Sequence, residues 1–203
     1  MNTKNKFLTI DFVSACSEKK LYPEDIGFEV AICGRSNSGK SSIINALANS
    51  KKLAKTSNTP GRTQSINFFR IENNDAYKLV DLPGYGFAKA SKSMKRDWGK
   101  KITDYMNSRD ALKGVILIMD IRHPFQEADY NFLEWCQSYN LPIQLLLNKA
   151  DKLSRNKSLN ILNECNKDLE DYPLLDEPQI FSAKNFDGVD VLVKKIRSWV
   201  GES

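Results

Sequence analysis

Along most of the chain, short unbroken apolar runs alternate with stretches in which apolar residues recur every three or four positions. Such runs mark strands buried on both faces, and the intervening periodicity marks helices with one apolar stripe. GFEVAICG ending at Gly34, GVILIMD ending at Asp120 and IQLLLN ending at Asn148 predict central strands, and QIFSA ending at Ala183 a shorter one. Between Ser65 and Asp81, SINFFRIE and AYKLVD flank Glu72-Asn73-Asn74-Asp75, whose Asn-Asn-Asp chemistry suits a tight turn. That pair predicts a hairpin with one antiparallel edge strand. Ala128, Phe132, Trp135, Cys136 and Tyr139 share one helical face, and Val189, Leu192, Ile196 and Trp199 share another. Pro124 precedes the first of these helices and Pro142 follows it, both where proline is tolerated. The expected order is strand, helix, hairpin, helix, strand, helix, strand, helix, strand, helix. This describes an α/β fold with a mostly parallel six-stranded sheet, one antiparallel edge strand and helices on both faces.

At 203 residues the chain suits one core, expected over residues 26–203, with residues 1–25 as an N-terminal flanking segment. No eighteen apolar residues run together, so no membrane span is expected. The apolar stretch near the amino terminus is broken by Thr9 and Asp11, which is poor for a signal peptide and predicts a cytoplasmic protein, expected to be a monomer. Cys16, Cys33, Cys136 and Cys165 form no C-x-x-C pair, and His123 is the single histidine, so reduced structural thiols are expected and a zinc cluster is not. The formal charge of +5 merely permits an RNA partner.

The chemistry begins at Gly34-Arg35-Ser36-Asn37-Ser38-Gly39-Lys40-Ser41, a full match to G-x-x-x-x-G-K-[ST] that follows a predicted strand and opens a predicted helix. Gly34 and Gly39 allow backbone angles at which successive N–H groups converge on phosphate oxygens at a helix amino terminus. Lys40 would neutralise the β and γ phosphates, and the Ser41 hydroxyl would be a ligand to Mg²⁺, which prefers hard oxygens. Asp81-Leu82-Pro83-Gly84 closes a strand beside this loop. Asp81 suits a role in holding Mg²⁺ through water, and the Gly84 N–H suits close contact with the γ-phosphate.

Asn148-Lys149-Ala150-Asp151 follows a further apolar strand. The Asp151 carboxylate can accept from guanine N1–H and the exocyclic amine, donors that adenine does not present in that arrangement, so the tetrad favours GTP over ATP. Phe181-Ser182-Ala183 ends the last strand, where a backbone N–H can meet the guanine carbonyl oxygen.

Together, GRSNSGKS, TPGRT, DLPG, NKAD and FSA resemble the five G-motifs of a translation-factor-class small GTPase of the TrmE-Era-EngA-EngB-Septin-like group. More narrowly, GRSNSGKSSIINAL, TSNTPGRTQSINFF, DLPGYGFA and the DIRHP run at Asp120 resemble the EngB (YihA/YsxC) family of bacterial ribosome-biogenesis GTPases, over residues 28–199. The resemblance implies a Ras-like fold, Mg²⁺-dependent GTP hydrolysis to GDP, a partner in the large ribosomal subunit or its rRNA, and an association with cell division septation. Within Gly61-Arg62-Thr63-Gln64-Ser65, Thr63 resembles the threonine that completes Mg²⁺ coordination in the GTP state. Asn37 resembles the asparagine that holds K⁺ in related enzymes; as a residue it is also simply a polar loop position.

Where Ras-type enzymes carry a water-orienting glutamine just after D-x-x-G, this chain has Tyr85, so unassisted turnover should be slow. Residues 87–101 hold Lys89, Lys92, Lys95, Arg96, Lys100 and Lys101 with Phe87 and Trp98 interleaved, which suits nucleotide-dependent contact with RNA phosphates or, more plainly, a solvated helix face. His123 reads as a structural loop histidine. Two functions follow: a GTPase assembly factor, or a nucleotide-gated binding protein of the septation machinery for which hydrolysis is incidental. An ATP-dependent kinase is disfavoured by NKAD and by the absence of a lid-like arginine cluster.

Overall fold

The computed structural model describes residues 6–54, 65–86, 92–169 and 172–201. Seven strands form one sheet: β1 (Ile10–Cys16), β2 (Phe28–Gly34), β3 (Ile66–Ile71), β4 (Asn74–Asp81), β5 (Leu112–Asp120), β6 (Ile143–Asn148) and β7 (Gln179–Ile180). Their order across it is β1-β3-β4-β2-β5-β6-β7. The helices α1 (Lys40–Leu47), α2 (Lys92–Met106), α3 (Glu127–Ser138), α4 (Arg155–Asp168) and α5 (Val189–Trp199) connect them. The apolar runs behave as expected, since every residue of β6 and all but Phe28 of β2 are buried. One core cluster packs Ile102 and Tyr105 of α2, Phe132 and Cys136 of α3 and Cys165 of α4 on one face of the sheet. The other packs Ile43, Ile44 and Leu47 of α1 with Val189, Leu192 and Ile196 of α5.

Three details differ from expectation. Among the described residues the sheet has seven strands and not six, because Ile10–Cys16 of the segment expected to flank the domain pairs along β3. Its alternation was obscured by a register shift between Phe12 and Ser14, which places a bulge at Val13. Consequently β3, antiparallel to both β1 and β4, lies one strand in from the edge. Glu72 and Asn73 alone make the hairpin turn, both left-handed at φ 53° and 55°, the backbone of a two-residue type I′ turn. Lastly, β7 stops at Ile180; Phe181 still donates to Leu147 O at 3.0 Å, but Ser182 turns off to pair with Asp187.

The amino-terminal segment is also held at the opposite end of the sheet. Arg109 Nε donates to Glu29 Oε2 at 3.1 Å and its Nη1 to the Pro23 carbonyl at 2.9 Å, while Tyr105 Oη donates to the same Glu29 oxygen at 2.8 Å. Asp25 accepts from the backbone amides of Asp110 and Ala111 at 2.8 and 3.1 Å. A fully buried Glu29 is tolerable only with such partners.

Candidate functional site

Among the described residues, the segments 34–41, 81–84, 148–151 and 181–183 emerge at the carboxyl ends of parallel strands, the edge at which open α/β sheets bind ligands. Residues 34–41 run from the end of β2 into α1, with Gly39 left-handed (φ 106°, ψ 22°) as the helix N-cap. A Cβ on Gly39 would lie 2.3 Å from Asn148 Nδ2, so only glycine lets the loop approach the base-side tetrad this closely. Ser38 N donates to Arg35 O at 3.0 Å, closing the loop on itself.

Asp81 ends β4, whose Ile32–Asp81 register with β2 sets it beside the loop. Its Oδ2 accepts from Asn67 Nδ2 at 3.2 Å, and Asn67 Oδ1 in turn accepts from Ser65 Oγ at 3.2 Å. Its Oδ1 is buried with no hydrogen-bond partner among the described residues. Burial pushes the Asp81 carboxyl above its ordinary value, with Lys40 and the Asn67 amide pulling the other way. A buried, oriented carboxylate with one oxygen left over is what a cation or its bound water would satisfy, so the residues fit Mg²⁺. Gly84 follows with no room to spare: an added Cβ would stand 2.8 Å from Lys40 Nζ, 3.2 Å from Gly34 O and 3.3 Å from Ser36 N.

On the base side, Asn148 is buried and ties the tetrad to the loop, its Nδ2 donating to Ser38 O at 2.9 Å and its Oδ1 accepting from Ala183 N at 3.4 Å. Lys149, left-handed at φ 68°, donates through Nζ to Asn37 O at 2.6 Å and pairs with Asp120 at 3.0 Å. Burial alone would raise the Asp120 carboxyl, but hydrogen bonds from Arg122 and Lys149 outweigh it and hold the group well below the usual carboxylate range. Ala150 N donates to Phe181 O at 3.1 Å, and Asp151 Oδ1 accepts from Ser182 Oγ at 2.9 Å. That bond joins the two segments and leaves the second carboxylate oxygen, 3.6 Å from Lys152 Nζ.

Some predicted residues turn elsewhere. Arg35 sends its side chain away from the phosphate loop, pairing with Asp129 at 3.0 Å and donating through Nη2 to the His123 carbonyl. His123 thus contributes a backbone oxygen, while its residue is exposed. Tyr85 is buried, stacked on Phe132 with centroids 5.4 Å apart, and its Oη donates to Asp129 Oδ1 at 2.7 Å. Burial, then the neighbouring Cys33 and Asp129, push the phenol well above its ordinary value, and its hydroxyl serves as a hydrogen-bond donor to Asp129. Trp98 also faces inward, donating to Pro83 O at 2.7 Å and meeting Tyr85 edge-on at 5.7 Å, so it is no free stacking platform. Asn67, Asp129 and Asp120 are the functional candidates that local sequence patterns did not single out for a role. The polar Asn67 inside SINFFRIE and the DIRHP run that opens at Asp120 offered a signal, and Asp129 offered none.

Gly61, Arg62, Thr63, Gln64, Phe87 and Lys89 lie outside the described residues, as do the side chains of Lys92 and Lys95. Ser65 is half-buried, and Arg96 and Lys100 are exposed on α2. All four cysteines are buried and none is in a disulfide. Among the described residues, no helix is long and apolar enough to cross a membrane.

Comparison with known proteins identifies the family. The 50S ribosome-binding GTPase family matches residues 29–149. The chain is 47% identical over 191 residues to the "Probable GTP-binding protein EngB" of Haemophilus ducreyi, covering 93% of this chain and 89% of that one. It is 44% identical over 190 residues to the protein of the same name from Ruthia magnifica, covering 94% of each. Among solved structures it is similar to a probable GTP-binding protein engB, with TM-score 0.68 at 22% identity over 86% of this chain and 100% of the other. It is also similar to Era in complex with MgGDPNP and nucleotides 1506-1542 of 16S ribosomal RNA, with TM-score 0.66 at 23% identity over 87% of this chain and 57% of that one. Identities this low show a shared fold, whereas the curated relatives match nearly end to end. Matched by that family model from β2 to β6 and by these relatives nearly end to end, the chain belongs to the EngB GTP-binding proteins, a family of P-loop GTPases.

Proposed function

We propose that this GTPase is a slow, Mg²⁺-dependent and K⁺-stimulated nucleotide switch that acts in assembly of the large ribosomal subunit. The observation that carries the nucleotide half is the convergence of Lys40, Gly84 and the unsatisfied Asp81 Oδ1 at one sheet edge, with the Asp151–Ser182 pair beyond them. In this reading the amides of residues 34–41 and the Lys40 ammonium hold the phosphates, Gly84 N–H meets the γ-phosphate, and Asp151 and the 181–183 turn read guanine. Ser41, Thr63 and, through water, Asp81 are the residues that would hold Mg²⁺. Bound there, Mg²⁺ supplies neutralisation of charge on the β and γ oxygens.

Hydrolysis joins a water oxygen to the γ-phosphorus and breaks its bond to the β–γ bridging oxygen, releasing GDP and phosphate. Negative charge grows on that bridging oxygen, and Lys40 with the loop amides offsets it. Tyr85 cannot orient the water, since its hydroxyl is committed to Asp129. A slow basal rate follows, and K⁺ beside the Asn37 amide would supply charge that Na⁺ supplies poorly. Asn37 is exposed and left-handed at φ 65°, with its carbonyl already accepting from Lys149. Turnover in matched KCl and NaCl should be faster in K⁺, and Asn37→Ala should abolish the difference. Equal rates in both salts would refute the K⁺ role.

The ribosomal half rests on the family description and on the exposed Arg96 and Lys100 of α2, which begins a few residues after the Gly84 turn. Sedimentation with purified large subunits should occur with a non-hydrolysable GTP analogue and be lost with GDP. Sedimentation with neither would favour instead the nucleotide-gated binding protein of the septation machinery.

A further inference from the structure

We infer that Arg35, Asp129 and Tyr85 form a brace that holds the Gly84 turn in the position that receives a γ-phosphate before any nucleotide binds. Tyr85 is thereby a positioning residue at the place where Ras-type enzymes carry a glutamine. The inference rests on the reading of Gly84 as the γ-phosphate contact.

Three sets of contacts carry it. Asp129 is fully buried on α3, and its carboxylate accepts from Tyr85 Oη at 2.7 Å, from Arg35 Nε at 3.0 Å and from the Gln126 amide at 2.9 Å. One carboxylate therefore grips both the phosphate loop and the residue after D-L-P-G. The backbone repeats the link, as Ser36 N donates to Tyr85 O at 2.9 Å and Tyr85 N to Gly34 O at 3.4 Å. On the other side of Gly84, Pro83 O accepts from Trp98 Nε1 at 2.7 Å, and the Tyr85 ring is held between Phe132 and Trp98.

Gly84 is thus fixed on both flanks, against the space that Lys40 Nζ occupies. A turn fixed beforehand does not have to be ordered when GTP arrives. If the brace is loosened, the receptive position is held for a smaller fraction of the time, and apparent affinity for a γ-phosphate falls by that fraction. GDP has no γ-phosphate and makes no such demand. The brace therefore sets the preference for the triphosphate over the diphosphate, and not nucleotide affinity in general.

Tyr85→Phe keeps the ring and its stack but removes the hydroxyl donor to a buried carboxylate. Calorimetric titration in Mg²⁺ with GDP and with a non-hydrolysable GTP analogue should show the analogue weakened about three- to tenfold, and GDP changed by less than about twofold. Asp129→Asn, which also loosens Arg35, should shift the ratio further in the same direction; if its thermal melt shows that it does not fold, Tyr85→Phe decides alone. A residue with only a structural role would lower the melting temperature and leave the ratio of the two affinities alone. An unchanged ratio, equal weakening of both nucleotides, or tighter binding of the analogue would overturn the brace. Failure of the wild type to bind either nucleotide would instead overturn the reading of the site on which it rests.

Discussion

Replacing Asp81 by asparagine should make the nucleotide-free protein more stable and its Mg²⁺–nucleotide complex less so. In the folded chain one Asp81 oxygen is buried with no hydrogen-bond partner among the described residues, and burial raises the carboxyl above its ordinary value. A carboxyl raised in this way contributes stability that is fully present below its unfolded pKa and lost as pH rises through the folded one. At neutral pH the ionised group is therefore destabilising, and the uncharged amide relieves it. An unpaired buried amide N–H still costs about 1–3 kcal/mol, against more for a charged oxygen, so the net gain should be about 1 kcal/mol. In a domain of this size that is about 2–4 °C in melting temperature. The bound state should move oppositely. Ligand at a hundred times its Kd adds about 2.7 kcal/mol, or about 5–11 °C on the same scale, and the variant should lose most of that increment where it depends on Mg²⁺. Thermal melts in EDTA, and in Mg²⁺ with GDP, read both effects. In EDTA, lowering the pH from about 7 towards about 5 should narrow the gap between variant and wild type. A variant that melts several degrees lower without ligand, or keeps the full Mg²⁺-dependent increment, would refute the reasoning.

Two further substitutions probe the site from other sides. Asp151→Asn still offers an acceptor to Ser182 but presents guanine with a donor against a donor, so guanine-nucleotide affinity should fall by orders of magnitude and xanthine-nucleotide affinity rise, as competition binding would show; equal GTP binding by variant and wild type would contradict it. Trp98→Phe retains the aromatic packing but leaves the Pro83 carbonyl without its indole donor, and should lower urea-measured stability by about 0.5–1.5 kcal/mol with an unchanged denaturant slope.

The strands that carry the site were legible because burial on both faces writes itself as an unbroken apolar run, as in IQLLLN. The phosphate loop and the NKAD tetrad were legible for a related reason: each is a local solution whose residues are contiguous. What stayed hidden is non-local. Tyr85 could be seen to replace a glutamine, but its partner Asp129 lies 44 residues away and on a helix where it passes for a capping residue, a task it also performs. Trp98, interleaved with lysines, looked like a surface aromatic until α2 turned it toward Pro83. β1 escaped because the Val13 bulge breaks the alternation by which an edge strand is recognised.

That bulge has a consequence for what the sheet offers at its border. A flat outermost strand offers its free amides and carbonyls as a template for another chain, and β3, with INFFRI, would be a sticky one if it stood at the border. β1 covers it and presents in its place a kinked margin carrying Asp11, while Arg109 and Asp25 pin the segment behind it. Residues 10–25 act as a selvedge: they finish the sheet's border with a kinked strand in place of INFFRI.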